Sequence, residues 1–432
     1  MARFTATELL IALTIAMAYT PRASAEFPRY IQTDDQVYRW EQLSQTDRHD
    51  GLTVYDLRLT SQVWQGTLWH HRLRVITPMA RQHMPPLALL LISSSGEGTR
   101  ELEEGSRLAR ELGAPVAILH DIPNQPLLGG LMEDDLLAYT FVKFLETYDP
   151  SWPLLLPMVK GVVKAMDAVQ AFMARERHTH ISGFVVSGAS KRGWTTWLTP
   201  VVDERVKAIA PLVYDNLNLA QQMQHQRATW GHFSGQIAEY TERGLPQRLL
   251  AGDRGAQALA AMVDPFAYRQ RITVPKLIVL GTNDRYWPLD ALNLYYERLI
   301  GETYILYIPN AGHDLGAGRA RALAGLTALF WKSAGRLRFP ALRWQFNDEG
   351  RLITLTLTSD LQPQAVRTWI ASAPTKDFRD ANWEAFEMTP QPHGYVYVRD
   401  KPPDGALALF GEAVYATEAG SFPLSTTVRI FP

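Results

Sequence analysis

Ser190, Asp284 and His313 stand in one of the chain orders in which sites for acyl transfer supply a serine nucleophile, its orienting acid and its base. A serine hydroxyl is a poor nucleophile until a base takes its proton and a third group orients that base. Ser190 occupies the apex of Gly188-Ala-Ser-Lys-Arg-Gly193, between the apolar run Phe184-Val-Val186 and a helical stretch. The spacing predicts a tight strand-to-helix corner, where small residues are needed because the flanking chain passes close by. The usual pattern is Gly-x-Ser-x-Gly; here Arg192 holds the last glycine position and Gly193 follows it. Asp284 follows the apolar run Lys276–Leu280 through Gly281-Thr-Asn, where the orienting acid belongs. His313 follows Tyr304–Ile308 through Pro309-Asn-Ala-Gly312, where the base belongs. Asp215, just past Val206–Val213, competes for the role of acid; its structural alternative is a helix cap or a pocket wall.

A developing oxyanion needs preorganised N–H donors in a dry site. One is expected from the backbone of Lys191, next to the nucleophile, and the other from Ser94 or Ser95 in the turn after Leu87–Ile92. Lys191 itself is a poor base for Ser190, because adjacent helical residues point about 100° apart. Lys191 and Arg192 are expected to pair with acids at the sheet rim, or to shape the pocket for a polar or anionic substrate. Trp194, Trp230 and Tyr286 are candidate pocket residues, and Trp230, Phe233 and Tyr240 are candidates for a lid or a substrate wall. The pairs His178/His180 and His225/His232 lack carboxylates at metal-ligand spacing, and no Gly-Lys-Ser/Thr phosphate loop occurs. No metal or cofactor is therefore expected. The chain has no cysteine, which excludes thiol nucleophiles, thiolate metal sites and disulfides.

The elements that must carry these residues read as alternating strands and helices. Asp50–Pro78 alternates around the turn signal Gln65-Gly66 and predicts an opening hairpin. Leu87–Ile92 is a continuous apolar run, then Thr99–Leu112 has helical spacing and Pro115–Leu119 reads as the next strand. Met158–Glu176 predicts a helix, as do Pro288–Ile300 and Leu315–Trp331. This alternation implies a mostly parallel sheet. Irregular stretches near 123–157 and 216–270 read as helical insertions that cover the site. From about Arg336 short alternating runs and turn signals replace helical periodicity, predicting a small all-β sandwich, immunoglobulin-like, over 336–432.

With 46% hydrophobic residues the 432-residue chain can bury a large core, and a net charge of −1 gives no field for nucleic acid. Arg3, the apolar run Leu9–Tyr19 and Ala23-Ser-Ala25 fit a cleavable signal peptide over residues 1–25, with Glu26 as the first mature residue. That run is too short to span a bilayer, so a periplasmic or secreted protein without an integral span is expected.

Gly188-Ala-Ser-Lys-Arg-Gly-Trp-Thr-Thr-Trp-Leu-Thr199, with Asp203-Glu-Arg-Val206 and Pro211-Leu-Val-Tyr-Asp-Asn-Leu-Asn218, resembles the PhoPQ-activated pathogenicity-related protein family. The resemblance extends through Gly281-Thr-Asn-Asp284 and Asn310-Ala-Gly-His313, and Arg192 fits this family's own version of the elbow. It implies an exported protein of α/β-hydrolase type with a Ser190–Asp284–His313 triad and a β-rich C-terminal domain. The family name does not supply a substrate. Two readings follow: a serine hydrolase acting on a small-molecule or peptide ester or amide, or a non-catalytic binding protein on the same scaffold. In either, the C-terminal region is a candidate surface for a protein or glycan.

Overall fold

The computed structural model describes residues 25–79, 84–94, 96, 98–418 and 420–432; the expected signal segment and Ser95 lie outside them, Ala25 excepted. Helix α1 (25–32) precedes β1 (Arg39–Asp47). Strands β2 (Leu52–Trp64) and β3 (Thr67–Pro78) form the expected hairpin. Gln65 and Gly66 both take positive φ, 47° and 73°, which matches the twist of a two-residue hairpin turn. There follow β4 (Leu87–Ile92), α2 (Thr99–Leu112) and β5 (Val116–Leu119). Helices α3 (Glu133–Thr147) and α4 (Leu155–Arg177) lead to β6 (Gly183–Ala189), α5 (Lys191–Leu198) and β7 (Val206–Leu212). The second insertion holds α6 (Leu219–Trp230), α7 (Ala238–Thr241), α8 (Leu245–Leu250) and α9 (Arg254–Val263). Strands β8 (Lys276–Gly281) and β9 (Thr303–Ile308) and helix α10 (Arg319–Ser333) complete this part.

Strands β5, β4, β6, β7, β8 and β9 lie side by side and parallel, with β3 antiparallel at one flank. Successive strand residues point to opposite faces, so the buried runs feed two cores. Leu90, Val186 and Ile278 pack with residues of α4 such as Val162 and Phe172, whereas Leu89, Val185 and Leu277 pack with Leu108 of α2 and Leu326 of α10. Helices therefore cover both faces of the parallel strands, as their unbroken apolar character requires.

The C-terminal region is all β. One layer contains β10 (Leu342–Glu349), β11 (Leu352–Ser359), β14 (Thr389–Gln391) and β15 (Gly394–Asp400). The other contains β12 (Ala365–Ala373), β13 (Glu384–Glu387), β16 (Ala406–Thr417), β17 (Gly420–Ser425) and β18 (Arg429–Phe431). Leu355 and Leu357 of β11 meet Gly411 of β16, where a Cβ would sit 3.0 Å from Leu357. The second layer does not stand apart. Strand β17 pairs with β9 at Ser425 and Ile305, and the Ser425 hydroxyl accepts the Tyr307 N–H at 3.0 Å, so among the described residues a 14-stranded sheet runs from β1 to β13. A second departure from the sequence reading is Pro288–Ile300, which forms two short 3₁₀ turns (Ala291–Leu294 and Tyr296–Arg298) rather than one helix.

Candidate active site

Ser190 sits between β6 and α5 with φ 57° and ψ −126°, a conformation that costs a non-glycine residue about 1–3 kcal/mol and needs its surroundings to hold it. The surroundings are tight. The Ser190 N–H donates to the Leu212 carbonyl at 2.9 Å, and the Trp194 N–H donates to the Ser190 carbonyl at 3.0 Å. A Cβ on Gly188 would lie 2.7 Å from the Arg192 carbonyl oxygen, and one on Gly193 would lie 2.9 Å from that of Leu212. Glycine is thus required at 188 and 193, while position 192 is free to carry a side chain.

That side chain braces the elbow. Arg192 donates Nε to the Ile122 carbonyl at 2.6 Å and both terminal nitrogens to Glu133, at 2.6 and 2.8 Å. Lys191 Nζ lies 2.7 Å from Glu133 and 3.0 Å from Asp134, so it faces the first turn of α3. The expected pairing of both cations with rim acids is present. Burial alone would raise the Glu133 carboxyl, but the hydrogen bonds and charges of Arg192 and Lys191 outweigh it and hold the group down at about 2. Asp134 also accepts the Tyr240 hydroxyl at 2.9 Å, and Asp135 pairs with Arg243. The two insertions are therefore joined to each other and to the elbow helix.

The three candidate residues converge. His313 Nε2 lies 2.9 Å from Ser190 Oγ, and His313 Nδ1 lies 2.7 Å from Asp284 Oδ2. An ionised carboxylate can only accept, which puts the imidazole proton on Nδ1 and leaves Nε2 to accept the serine hydroxyl. The other Asp284 oxygen accepts the Tyr286 N–H at 2.9 Å, and the Tyr286 ring stacks on His313 at 4.1 Å and 28°. This stacking had no signal in the sequence. Asp215 is turned elsewhere: it accepts the Tyr295 hydroxyl at 2.8 Å, and burial pushes its carboxyl up to about 8 although that bond opposes the rise.

Beside Ser190 lies a cavity of about 110 Å³ lined by Phe141, Trp194, Met223, Leu259, Tyr286 and Trp287, among others, with Lys191 and Tyr240 also on its wall. Of the predicted pocket residues, Trp194 and Tyr286 line it and Trp230 does not. The Trp230 ring lies under the Arg379 guanidinium at 4.2 Å, held there by the C-terminal region. Phe233 is likewise absent from the wall and packs beside Met223 and Ile237. Ser94 is also outside the lining; its carbonyl accepts the Asp121 N–H at 3.3 Å. Lys191 opens α5, so its N–H belongs to the helix-terminal group that has no intrahelical acceptor, and it directly follows Ser190. An anion at Ser190 would meet the positive end of that helix. His225 is bonded to Asp290 at 2.6 Å and His232 to the Phe233 carbonyl at 2.7 Å.

A family model for the PhoPQ-activated pathogenicity-related protein matches residues 27–379. Autocrine proliferation repressor protein A of Dictyostelium discoideum is 30% identical over 463 aligned positions, which cover 98% of this chain and 91% of that protein. Among solved structures, acetyl xylan esterase 1 from Thermoanaerobacterium sp. is 17% identical, covering 73% of this chain and 92% of that one at a TM-score of 0.49. An S-formylglutathione hydrolase from Agrobacterium tumefaciens is 15% identical, covering 69% and 100% at a TM-score of 0.44.

Proposed function

The chain belongs to the PhoPQ-activated pathogenicity-related protein family, and we propose that it is an exported serine hydrolase that cleaves an ester or amide through an acyl-enzyme on Ser190. The observation that carries this reading is the unbroken hydrogen-bonded chain from Ser190 Oγ through both nitrogens of His313 to Asp284. In the proposed cycle His313 Nε2 takes the hydroxyl proton as Oγ attacks the acyl carbon, and then gives it to the leaving oxygen or nitrogen. Asp284 holds the tautomer and faces the imidazolium that forms. The Lys191 N–H stabilises the oxyanion. Water activated by the same His313 then releases the acid.

The cavity supports a compact, largely apolar substrate group. A dry cavity of about 150 Å³ holds benzene, so about 110 Å³ suits a short acyl chain or a small ring. Export is proposed from the signal-like segment of residues 1–25, and with it a reaction in the periplasm or outside the cell. The C-terminal β region is a candidate surface for a peptide, glycan or protein partner.

A fluorophosphonate probe tests the reading. Wild type is expected to label and Ser190→Ala to stay unlabelled. A wild type that fails to react beside a labelled control hydrolase overturns it. That result would favour a second reading, a binding protein on a hydrolase scaffold, which the name of the Dictyostelium relative supports because it describes an effect on proliferation rather than a reaction.

A further inference from the structure

The turns that carry Asp284 and His313 are tied to one another and to one distant loop of the C-terminal β region. Asn283, next to the acid, donates its side-chain amide to the Ala381 carbonyl at 2.7 Å, with the carbonyls of Arg379 and Phe378 at 3.3 and 3.4 Å. Asn310, in the turn before the base, makes a two-point contact with Trp383: its amide donates to the carbonyl at 2.9 Å, and its Oδ1 accepts the N–H at 2.7 Å. Thr282 links the two asparagines, donating to Asn283 Oδ1 at 2.8 Å and accepting the Asn310 N–H at 2.9 Å. The turns also touch through backbone, with the Asn283 N–H on the Ala311 carbonyl at 2.9 Å. A Cβ on Gly281 would come within 2.4 Å of that same oxygen, so the two turns cannot separate around a larger residue.

The loop they hold is itself fixed. Phe378 and Trp383 are buried, Trp383 packs on Phe410 at 5.3 Å, and Phe410 packs on Tyr307 at 5.2 Å. Tyr307 belongs to β9, the strand that launches the His313 turn. A path of rings and hydrogen bonds therefore closes on itself through both regions of the molecule.

We propose that loop 378–383 is a positioning element for the acid and the base, acting through Asn283 and Asn310. The proposal rests on the hydrolase reading above. Asp284 lies three residues beyond the end of β8 and His313 five beyond the end of β9, so strand pairing alone does not fix either side chain. An asparagine amide both donates and accepts, which lets one side chain fix a turn against a backbone segment at two points. The gain is alignment, and a displacement of about 1 Å at a reacting group costs on the order of 10²-fold in rate.

The test uses the full chain with Asn283→Ala and Asn310→Ala, read by fluorophosphonate labelling and by hydrolysis of p-nitrophenyl butyrate, with melting followed in parallel. The expected result is a fall of about 10- to 100-fold in kcat and labelling rate, with KM within about twofold and a cooperative melt retained. The double variant is expected to lose less than the product of the two single losses, since both act through one loop. A lowered melting temperature with wild-type kcat would overturn the proposal by reducing the loop to a stabiliser. A raised KM with wild-type kcat would overturn it by making the loop a substrate wall. Should Asn310→Ala not fold, Asn283→Ala decides alone. A wild type that does not label removes the hydrolase reading and this proposal with it; a wild type that labels beside unchanged variants removes this proposal only.

Discussion

Asp215 and Asp284 each lie three residues past the end of a buried strand, on neighbouring strands of one sheet. Their fates differ. Asp284 keeps one oxygen on the Tyr286 N–H and offers the other to His313, whereas Asp215 takes the Tyr295 hydroxyl and a backbone hydrogen bond from Leu292 in a dry surround. Burial pushes the Asp215 carboxyl up to about 8, so near neutral pH it holds its proton and cannot serve as a charged acceptor for an imidazole. Topology accounts for the difference: His313 hangs from β9, which is hydrogen-bonded to β8 and not to β7. A rim position makes a carboxyl available; the strand beside it decides what the carboxyl meets.

Asp284→Asn is expected to lower the labelling rate by about 10³- to 10⁴-fold, because the amide no longer fixes the required tautomer. Asp215→Asn is expected to stay within about threefold. A larger loss in the second variant would exchange the two roles.

The Asp215 carboxyl titrates at about 8 in the folded chain, well above the ordinary value near 3.9 of an unfolded aspartate. Between these values the folded state binds the extra proton, so this group's contribution to stability is complete below about pH 4 and is lost as pH rises through about 8. Asparagine cannot ionise. The denaturation midpoint of Asp215→Asn should therefore gain on wild type steadily from about pH 5 to 8; a constant difference across that range would refute the buried, protonated assignment. Tyr295→Phe should destabilise by about 1–3 kcal/mol in urea melts, the cost of leaving a buried carboxyl without its hydroxyl partner. Labelling of the folded variant should be unchanged.

Much of this was legible in the sequence because the signals were local. The apolar runs that became β4, β6, β8 and β9 lie near their sequence-predicted positions, and α2 spans Thr99–Leu112 as its helical spacing indicated. That Ser190, Asp284 and His313 belong together was readable from their order, and Arg192 could be seen to depart from the general elbow. Why it departs was not readable, since Glu133 lies 59 residues away. Long-range contacts leave no periodicity. The junction of β17 with β9 rests on Ser425 meeting Ile305, and the Asn283 contact reaches 98 residues along the chain to Ala381. Trp230 failed as a pocket residue for the same reason: its partner, Arg379, comes from the far end of the sequence. Pro288–Ile300 has apolar residues at helical spacing, but Leu292 and Tyr295 are fully buried through short 3₁₀ turns, and Tyr295 is the residue that meets Asp215.

The smallest expected effect concerns the ring on His313. Tyr286 contributes to the Asp284 side of the comparison twice, through its backbone N–H and through its stacked face, and substitution separates the two. Tyr286→Leu keeps the N–H and removes the face; Tyr286→Phe keeps both. In the proposed cycle His313 becomes an imidazolium on taking the serine proton, and an aromatic face within about 6 Å attracts a cation by about 0.5–1 kcal/mol at a partly exposed site. That attraction is stronger in the charged transition state than in the neutral ground state, so it appears in kcat. Leucine is therefore expected to lower kcat by about 2- to 5-fold and phenylalanine to leave it unchanged. Equal losses in both variants would assign the effect to the tyrosine hydroxyl at the cavity wall, and the stacked ring would then be packing alone.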